Sequence, residues 1–243
     1  MMERKRDCTA IVLAAGRGSR MKSSVKKQYL DLNGRPVLYY SLYAFEQSDL
    51  VDEILLVTGE EQIEYCRKEI VEKFGFTKVK DILAGGKERY ESVYNGLCRA
   101  AMRNEKQDGV VLIHDGARPF VDGRIIERAY HAAVTYDACV AGMPVKDTIK
   151  LADAEGFAET TPDRSRVWMV QTPQAFDMKL VKKAYDLMMR EGLTQVTDDA
   201  MVVERMLKHP VKLVEGSYNN IKITTPEDLP IAEELMKARL AES

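Results

Sequence analysis

An α/β fold, with a mainly parallel sheet covered by helices, is the class this sequence predicts. Short apolar runs alternate almost from end to end with segments whose apolar residues recur at three- and four-residue spacing. The 243 residues are ample for a sizeable buried core. No linker rich in Pro, Gly or Ser and no internal repeat divides them, so the chain is expected to form one domain over 1–243.

Taken in order, Cys8–Ala14, Glu53–Thr58, Val79–Leu83, Gly109–His114 and Ala138–Met143 are apolar runs bounded by turn residues and are expected to be buried strands. Pro36–Gln47, Glu60–Phe74, Glu88–Arg103 and Gly123–Thr135 lie between them with helical periodicity. After Met143 the rhythm changes. Val145–Leu151 and Gly156–Thr161 are short, polar and extended, joined by Ala-Asp-Ala-Glu-Gly, and predict a hairpin that leaves the main sheet as a β-arm over about 144–167. Helical patterns return at Lys179–Arg190 and Asp198–Leu207, then strands are expected at Val211–Val214 and near Ile221–Ile223. A closing helix is expected to start with Thr225 as N-cap, Pro226 at the first helical position and acids in the first turn.

Composition removes several classes of function. With 36 basic against 38 acidic side chains, neither disorder nor general coating of nucleic acid is expected. The four cysteines, at 8, 66, 98 and 139, form no CxxC pair for zinc or redox chemistry and read as reduced thiols. The apolar stretch Cys8–Ala15 is too short for a signal-peptide core, and no run approaches a membrane span, so a cytoplasmic protein is expected.

Chemistry concentrates at two strand ends. The first strand runs into Ala14-Ala15-Gly16-Arg17-Gly18-Ser19-Arg20-Met21, at the carboxyl edge where ligands of parallel sheets bind. Its GxG lacks the third glycine of a dinucleotide fingerprint, Met21 standing in that place, and the GxxxxGK pattern is missing too. What the segment has is charge: Arg17, Arg20, Lys22, Lys26 and Lys27, with no acid among them. Such a loop suits a polyphosphate, although a solvated basic surface has the same composition. His114-Asp115-Gly116-Ala117-Arg118-Pro119 ends another apolar strand, so Asp115 should emerge at the same edge, placed to hold Mg²⁺ or a substrate hydroxyl, or else to cap a helix or order a turn. His114 reads as a hydrogen-bonded strand-end histidine, since no Ser or Cys nucleophile accompanies it.

Together these segments resemble the 2-C-methyl-D-erythritol 4-phosphate cytidylyltransferases. The resemblance rests on AAGRGSRM (14–21), KKQYL (26–30), GGKERYESV (85–93), HDGARPF (114–120), PVKDTIK (144–150), DRSRVW (163–168), QTPQAF (171–176), TDDA (197–200) and NIKITTPEDL (220–229), in this order over nearly the whole chain. It implies a Rossmann-like three-layer domain with a protruding β-arm that exchanges contacts across a homodimer. It implies CTP over the glycine-rich loop, with Ala14, Ala15, Gly16, Gly18 and Gly86 around the nucleotide and Ser92 near the cytosine. Arg20 and Lys27 match the basic pair that contacts the triphosphate and stabilises the transition state; Lys27 rather than Lys26 is chosen because it directly precedes Gln28-Tyr29. For the acceptor the matching positions are Asp115, Arg118, Thr148, Arg164, Thr172 and Lys222, with Asp115 on methylerythritol hydroxyls and Arg164 with Lys222 on the phosphate. Lys87 receives no role. Asp198 and Asp199 could suggest a two-carboxylate metal site, but the helical pattern after them favours capping by Thr197 and its acids.

The implied reaction joins a phosphate oxygen of the acceptor to the α-phosphorus of CTP and releases pyrophosphate, with Mg²⁺ held mainly by the CTP phosphates. Partners are therefore CTP and a polyol phosphate, with no nucleic acid or membrane. Ribitol 5-phosphate as acceptor, or a nucleotide-binding module without transfer, are the competing expectations.

Overall fold

A computed structural model describes residues 5–16, 21, 25–104, 106 and 108–241. Its strands are β1 (Cys8–Ala14), β2 (Asp31–Leu32), β3 (Arg35–Pro36), β4 (Glu53–Thr58), β5 (Val79–Ala84), β6 (Val110–Asp115), β7 (Ala138–Pro144), β8 (Leu151–Ala152), β9 (Ala158–Thr160), β10 (Trp168–Asp177) and β11 (Lys212–Glu215). Its α-helices are α1 (Val37–Glu46), α2 (Ile63–Tyr65), α3 (Arg89–Arg103), α4 (Gly123–Tyr136), α5 (Met178–Glu191), α6 (Asp199–Leu207) and α7 (Asp228–Ala241). The helix expected over Glu60–Phe74 is continuous but unevenly wound, with a 3₁₀ turn before α2 and a π-helical stretch, Cys66–Glu72, after it.

Seven strands form one sheet in the order β11-β7-β10-β6-β1-β4-β5, parallel except for β10, which runs antiparallel to both its neighbours. Because successive side chains of a strand point to opposite faces, β1 feeds two cores. Ala10 and Val12 join Leu38, Phe45, Ile70 and Ile126 on one face, whereas Ile11 joins Leu97, Val181, Tyr185 and Val203 on the other. Helices thus cover both faces, giving the three layers. The chain steps from β1 to β4 to β5 in one direction, then α3 carries it back past β1 to β6. The reversal opens a crevice between the carboxyl ends of β1 and β6, the place where α/β sheets bind ligands.

The arm leaves between β7 and β10. Val145 N–H to the Val167 carbonyl, 3.0 Å, closes its base, and β8 pairs with β9 at its tip. Its strands are shorter than the polar extended segments suggest. Exposed Leu151 and Phe157 mark its surface.

Three features depart from the sequence expectation. β10 is ten residues long yet has no continuous apolar run, since buried Gln171, Thr172 and Gln174 interrupt it where the register with β7 shifts. Residues 221–223 form no strand. Ile223 is buried but bonds to the sheet-edge loop through one amide, to the Ala117 carbonyl at 2.9 Å. The last helix begins at Asp228 rather than after Thr225, and the Asp228 carboxylate accepts the N–H groups of Thr224 (2.7 Å) and Thr225 (2.9 Å) in place of a Thr225 cap. Among the described residues no helix is long and apolar enough to cross a membrane.

Gly96 lets α3 lie directly on β1: a Cβ there would come within 2.7 Å of Ile11 Cγ2. Gly96→Val is expected to destabilise the fold by about 1–3 kcal/mol through overpacking. Urea denaturation checks this, and an unchanged midpoint would show that the two layers can separate freely.

Candidate active site

The crevice at the switch point is lined by Leu13, Ala15, Gly16, Lys27, Gln28, Gly86, Lys87, Glu88, Arg89, Ser92, Asp115, Ala117 and Lys222. On one wall the end of β1 is held open by Gln28, whose amide nitrogen donates to the carbonyls of Ala14 (2.5 Å) and Gly16 (3.2 Å). On the other, the turn after β5 approaches so closely that a Cβ on Gly85 would sit 2.5 Å from Ala15 Cβ and 2.7 Å from Ser92 Oγ. Ser92 accepts the Gly86 N–H at 3.0 Å, and Glu91 and Glu88 close a capping box at the start of α3.

The floor is Asp115, at the carboxyl end of β6 and only 7% exposed. Its Oδ1 accepts from Arg89 Nε at 3.2 Å and its Oδ2 from Lys222 Nζ at 2.7 Å. Burial alone would push this carboxyl up, but Arg89, Lys222 and Arg118 outweigh it and hold the group far below the usual carboxylate range. It is a permanent anion, an acceptor of hydrogen bonds and not a proton donor. It does not cap a helix, since Asp122 caps α4. Arg89 continues the chain of charge, donating through both terminal nitrogens to Asp199 at 2.9 Å each.

Behind Asp115 stand His114 and Thr172. Thr172 Oγ1 accepts the Asp115 N–H (3.1 Å) and bonds His114 Nδ1 (3.0 Å), while His114 Nε2 meets the Arg118 carbonyl at 3.2 Å. Burial pushes the imidazole pKa down to about 4, against the raising influence of Asp115, so the ring is neutral. His114 is the strand-end support expected of it. Arg118 bonds the Asn220 carbonyl at 2.8 Å and so ties this loop to the segment carrying Lys222.

The structure therefore brings Ala15, Gly16, Lys27, Gly86, Ser92, Asp115 and Lys222 together around one cleft, with buried Ala14, Thr172 and the partly buried Arg118 beneath or beside them. Lys26, by contrast, turns to Glu61 (2.5 Å) and Gln62, so that of the two adjacent lysines Lys27 is the one lining the cleft. Thr148 and Arg164 lie on the arm, exposed and not among the residues that line the cleft; Arg164 bonds the Lys146 carbonyl at 3.1 Å. Gly18 and Arg20 lie outside the described residues, as do Arg17, Ser19 and Lys22. The cap of α6 is Asp198, not Thr197. Asp198 accepts the Met201 N–H, while Asp199 is wholly buried on Arg89 and Tyr185.

A cleft lined by Lys27, Lys87, Lys222 and Arg89 suits an anionic ligand. The family model for 2-C-methyl-D-erythritol 4-phosphate cytidylyltransferase matches residues 8–238. The chain belongs to this family. A curated member from Lachnospira eligens is 52% identical over 230 residues, covering 94% of this chain and 99% of the relative. One from Caldanaerobacter subterraneus subsp. tengcongensis is 49% identical, over 93% and 96% of the two chains. Among solved structures, the 4-diphosphocytidyl-2C-methyl-D-erythritol synthase of Anaerococcus prevotii superposes with a TM-score of 0.82 at 33% identity, covering 96% of this chain and 97% of that one. The cytidylyltransferase of Thermus thermophilus does so with 0.74 at 31%, covering 95% and 99%.

Sequence reasoning missed Arg89, Asp199 and Gln28 as parts of the site. Arg89 sits in the quoted GGKERYESV run, and the buried strand end at Asp115 was the signal that a cation must face it.

His114 generates a stability prediction. Its folded pKa, about 4, lies below the ordinary 6.5, so in this interval the unfolded chain binds more protons. The stability it contributes is full above pH 6.5 and is lost as pH falls toward 4. Unfolding free energy measured in urea should decline over this window more steeply for the wild type than for His114→Gln; equal slopes would contradict the burial of a neutral ring.

Proposed function

We propose that the chain transfers the cytidylyl group of CTP to 2-C-methyl-D-erythritol 4-phosphate, releasing pyrophosphate and supplying the diphosphocytidyl intermediate of non-mevalonate isoprenoid synthesis. The observation that carries this reading is the meeting of Lys27, Lys222 and the cation-locked Asp115 at the switch-point cleft of a member of this family.

A phosphate oxygen of the acceptor attacks the α-phosphorus of CTP; the new phosphorus–oxygen bond forms as the bond to the bridging oxygen of pyrophosphate breaks. The nucleophile is already an anion, so no base is needed; Asp115 is engaged by two cations and His114 is buried behind it. Catalysis rests on alignment and on neutralising charge that develops at the α-phosphate. Lys27 and Arg20 supply that charge. The amides around Ala14–Gly16 and Gly86, with Ser92, receive the nucleotide, and Gly85 lets the turn after β5 pack closely against Ala15 and Ser92 on that wall. Asp115 takes acceptor hydroxyls, with Arg118 and Thr172 holding its loop and backbone, and Lys222 receives the acceptor phosphate.

Mg²⁺ would be held mainly by the nucleotide's own phosphate oxygens. The donor set fits this, since among the described residues no three His, Cys, Asp or Glu side chains cluster to hold a metal, and both oxygens of Asp115 are engaged. When bound, the ion lowers phosphate repulsion and assists departure of pyrophosphate.

Thr148 and Arg164 act in trans, the arm of one protomer reaching the cleft of its partner in a homodimer. Their exposure outside the lining of their own chain's cleft and the exposed Leu151, Phe157, Met169 and Val170 on and beside the arm support this. The free state of all four cysteines suits a reducing cytoplasm.

Pyrophosphate release with CTP and Mg²⁺ tests the function: methylerythritol 4-phosphate is expected to support it and ribitol 5-phosphate is not. Release with ribitol 5-phosphate alone would move the chain to another pathway, and release with neither would remove the transferase reading. Lys27→Ala and Arg20→Ala are each expected to lower kcat by about 10²–10³ in a folded protein, and undiminished turnover would sink those roles. Arg164→Ala should raise KM for the sugar phosphate far more than for CTP; equal increases would place its effect on arm order or dimer assembly.

A further inference from the structure

We propose that Arg89 is a positioning residue for the transfer reaction: gripping buried Asp199 with both terminal nitrogens, it presents Nε–H to Asp115 and so fixes that carboxylate, and through it the Lys222 ammonium, in the cleft. The inference rests on the reading of this cleft as the cytidylyl-transfer site.

The anchor is built from elements distant in sequence. Asp199 opens α6 and is 0% exposed. Its N–H donates to Gln174 Oε1 on β10 at 3.0 Å, and its carboxylate accepts Tyr185 O–H from α5 at 2.6 Å in addition to the Arg89 fork. A planar guanidinium held at two nitrogens by one carboxylate has its third nitrogen aimed in a set direction. Here that direction is Asp115 Oδ1, 3.2 Å away. Arg89 is also the first residue of α3, directly behind the capping box, so its backbone is fixed as firmly as its tip.

Asp115 is in turn unable to rotate freely. One oxygen is committed to Arg89 and the other to Lys222 at 2.7 Å, while its N–H is committed to Thr172. Without Arg89 the carboxylate would pivot on Lys222 alone, and Lys222, which stands in an irregular segment, would lose its set position with it. The Arg89 side chain faces two carboxylates, so its charge serves the protein's own anions before any phosphate. A lysine could not replace it, because an ammonium offers no fork to span both acids.

A double-mutant comparison tests this. Arg89→Lys and Asp199→Asn are made in the wild type and in an Asp115→Asn background, with thermal denaturation of each and steady-state kinetics for both substrates. In the wild-type background each change is expected to lower kcat/KM for methylerythritol phosphate by about tenfold to a hundredfold, with KM for CTP shifting far less. In the Asp115→Asn background the same changes should cost less than about threefold, since the group they position is gone. Equal losses in the two backgrounds, or no loss in the first, would overturn the proposal. Should Arg89→Lys fail to fold, Asp199→Asn carries the same comparison, since the amide keeps the shape of the carboxylate and can still accept from Tyr185. The wild-type rate separates the two claims: it tests the reading of the cleft, whereas the change in mutational cost between backgrounds tests Arg89.

Discussion

A carboxylate placed at the buried end of a central strand is the constraint on which the rest of this site depends. Asp115 emerges where the sheet reverses its winding, and leaving its charge uncompensated there would cost several kcal/mol. Arg89 from α3 and Lys222 from the C-terminal segment meet that demand, one on each oxygen. Their recruitment draws α3, α6 and the segment after β11 to one edge of the sheet. The cleft is the space these charges enclose with the end of β1.

The same arrangement sorts the chemistry. An acid tied to two cations cannot shuttle protons, and the neutral histidine beside it is enclosed by Phe45, Thr172 and the Arg118 carbonyl. The rest of the cleft carries Lys27, Lys87 and Lys222 beside Glu88, Gln28 and Ser92. That inventory suits transfer between phosphates, where the nucleophile arrives ionised and the protein's task is to hold two anions in line.

The parallel strands and the four crossover helices were legible because a strand covered on both faces must be apolar throughout, and Cys8–Ala14, Glu53–Thr58 and Ala138–Pro144 are close to that. β10 was not, because it pairs antiparallel with polar Gln171, Thr172 and Gln174 turned inward, where they bond Ser217, His114 and Asp198. The segment 221–223 carries the Ile-Lys-Ile alternation of a strand but packs its isoleucines beside α7. In the site, glycines and lysines next to strand ends were readable as phosphate chemistry. Asp199 was not, since a carboxylate at the start of a helix is ordinarily a cap, and only tertiary packing shows that Asp198 takes the cap and frees Asp199 for Arg89.

The most direct test of the account is a crystal structure with CTP and Mg²⁺ bound. The triphosphate is expected against Lys27 at the end of β1 and the base beside the Gly85–Gly86 turn, with Asp115 still held between Arg89 and Lys222. A nucleotide seated elsewhere, or Asp115 released from Arg89 to ligate the metal, would contradict it.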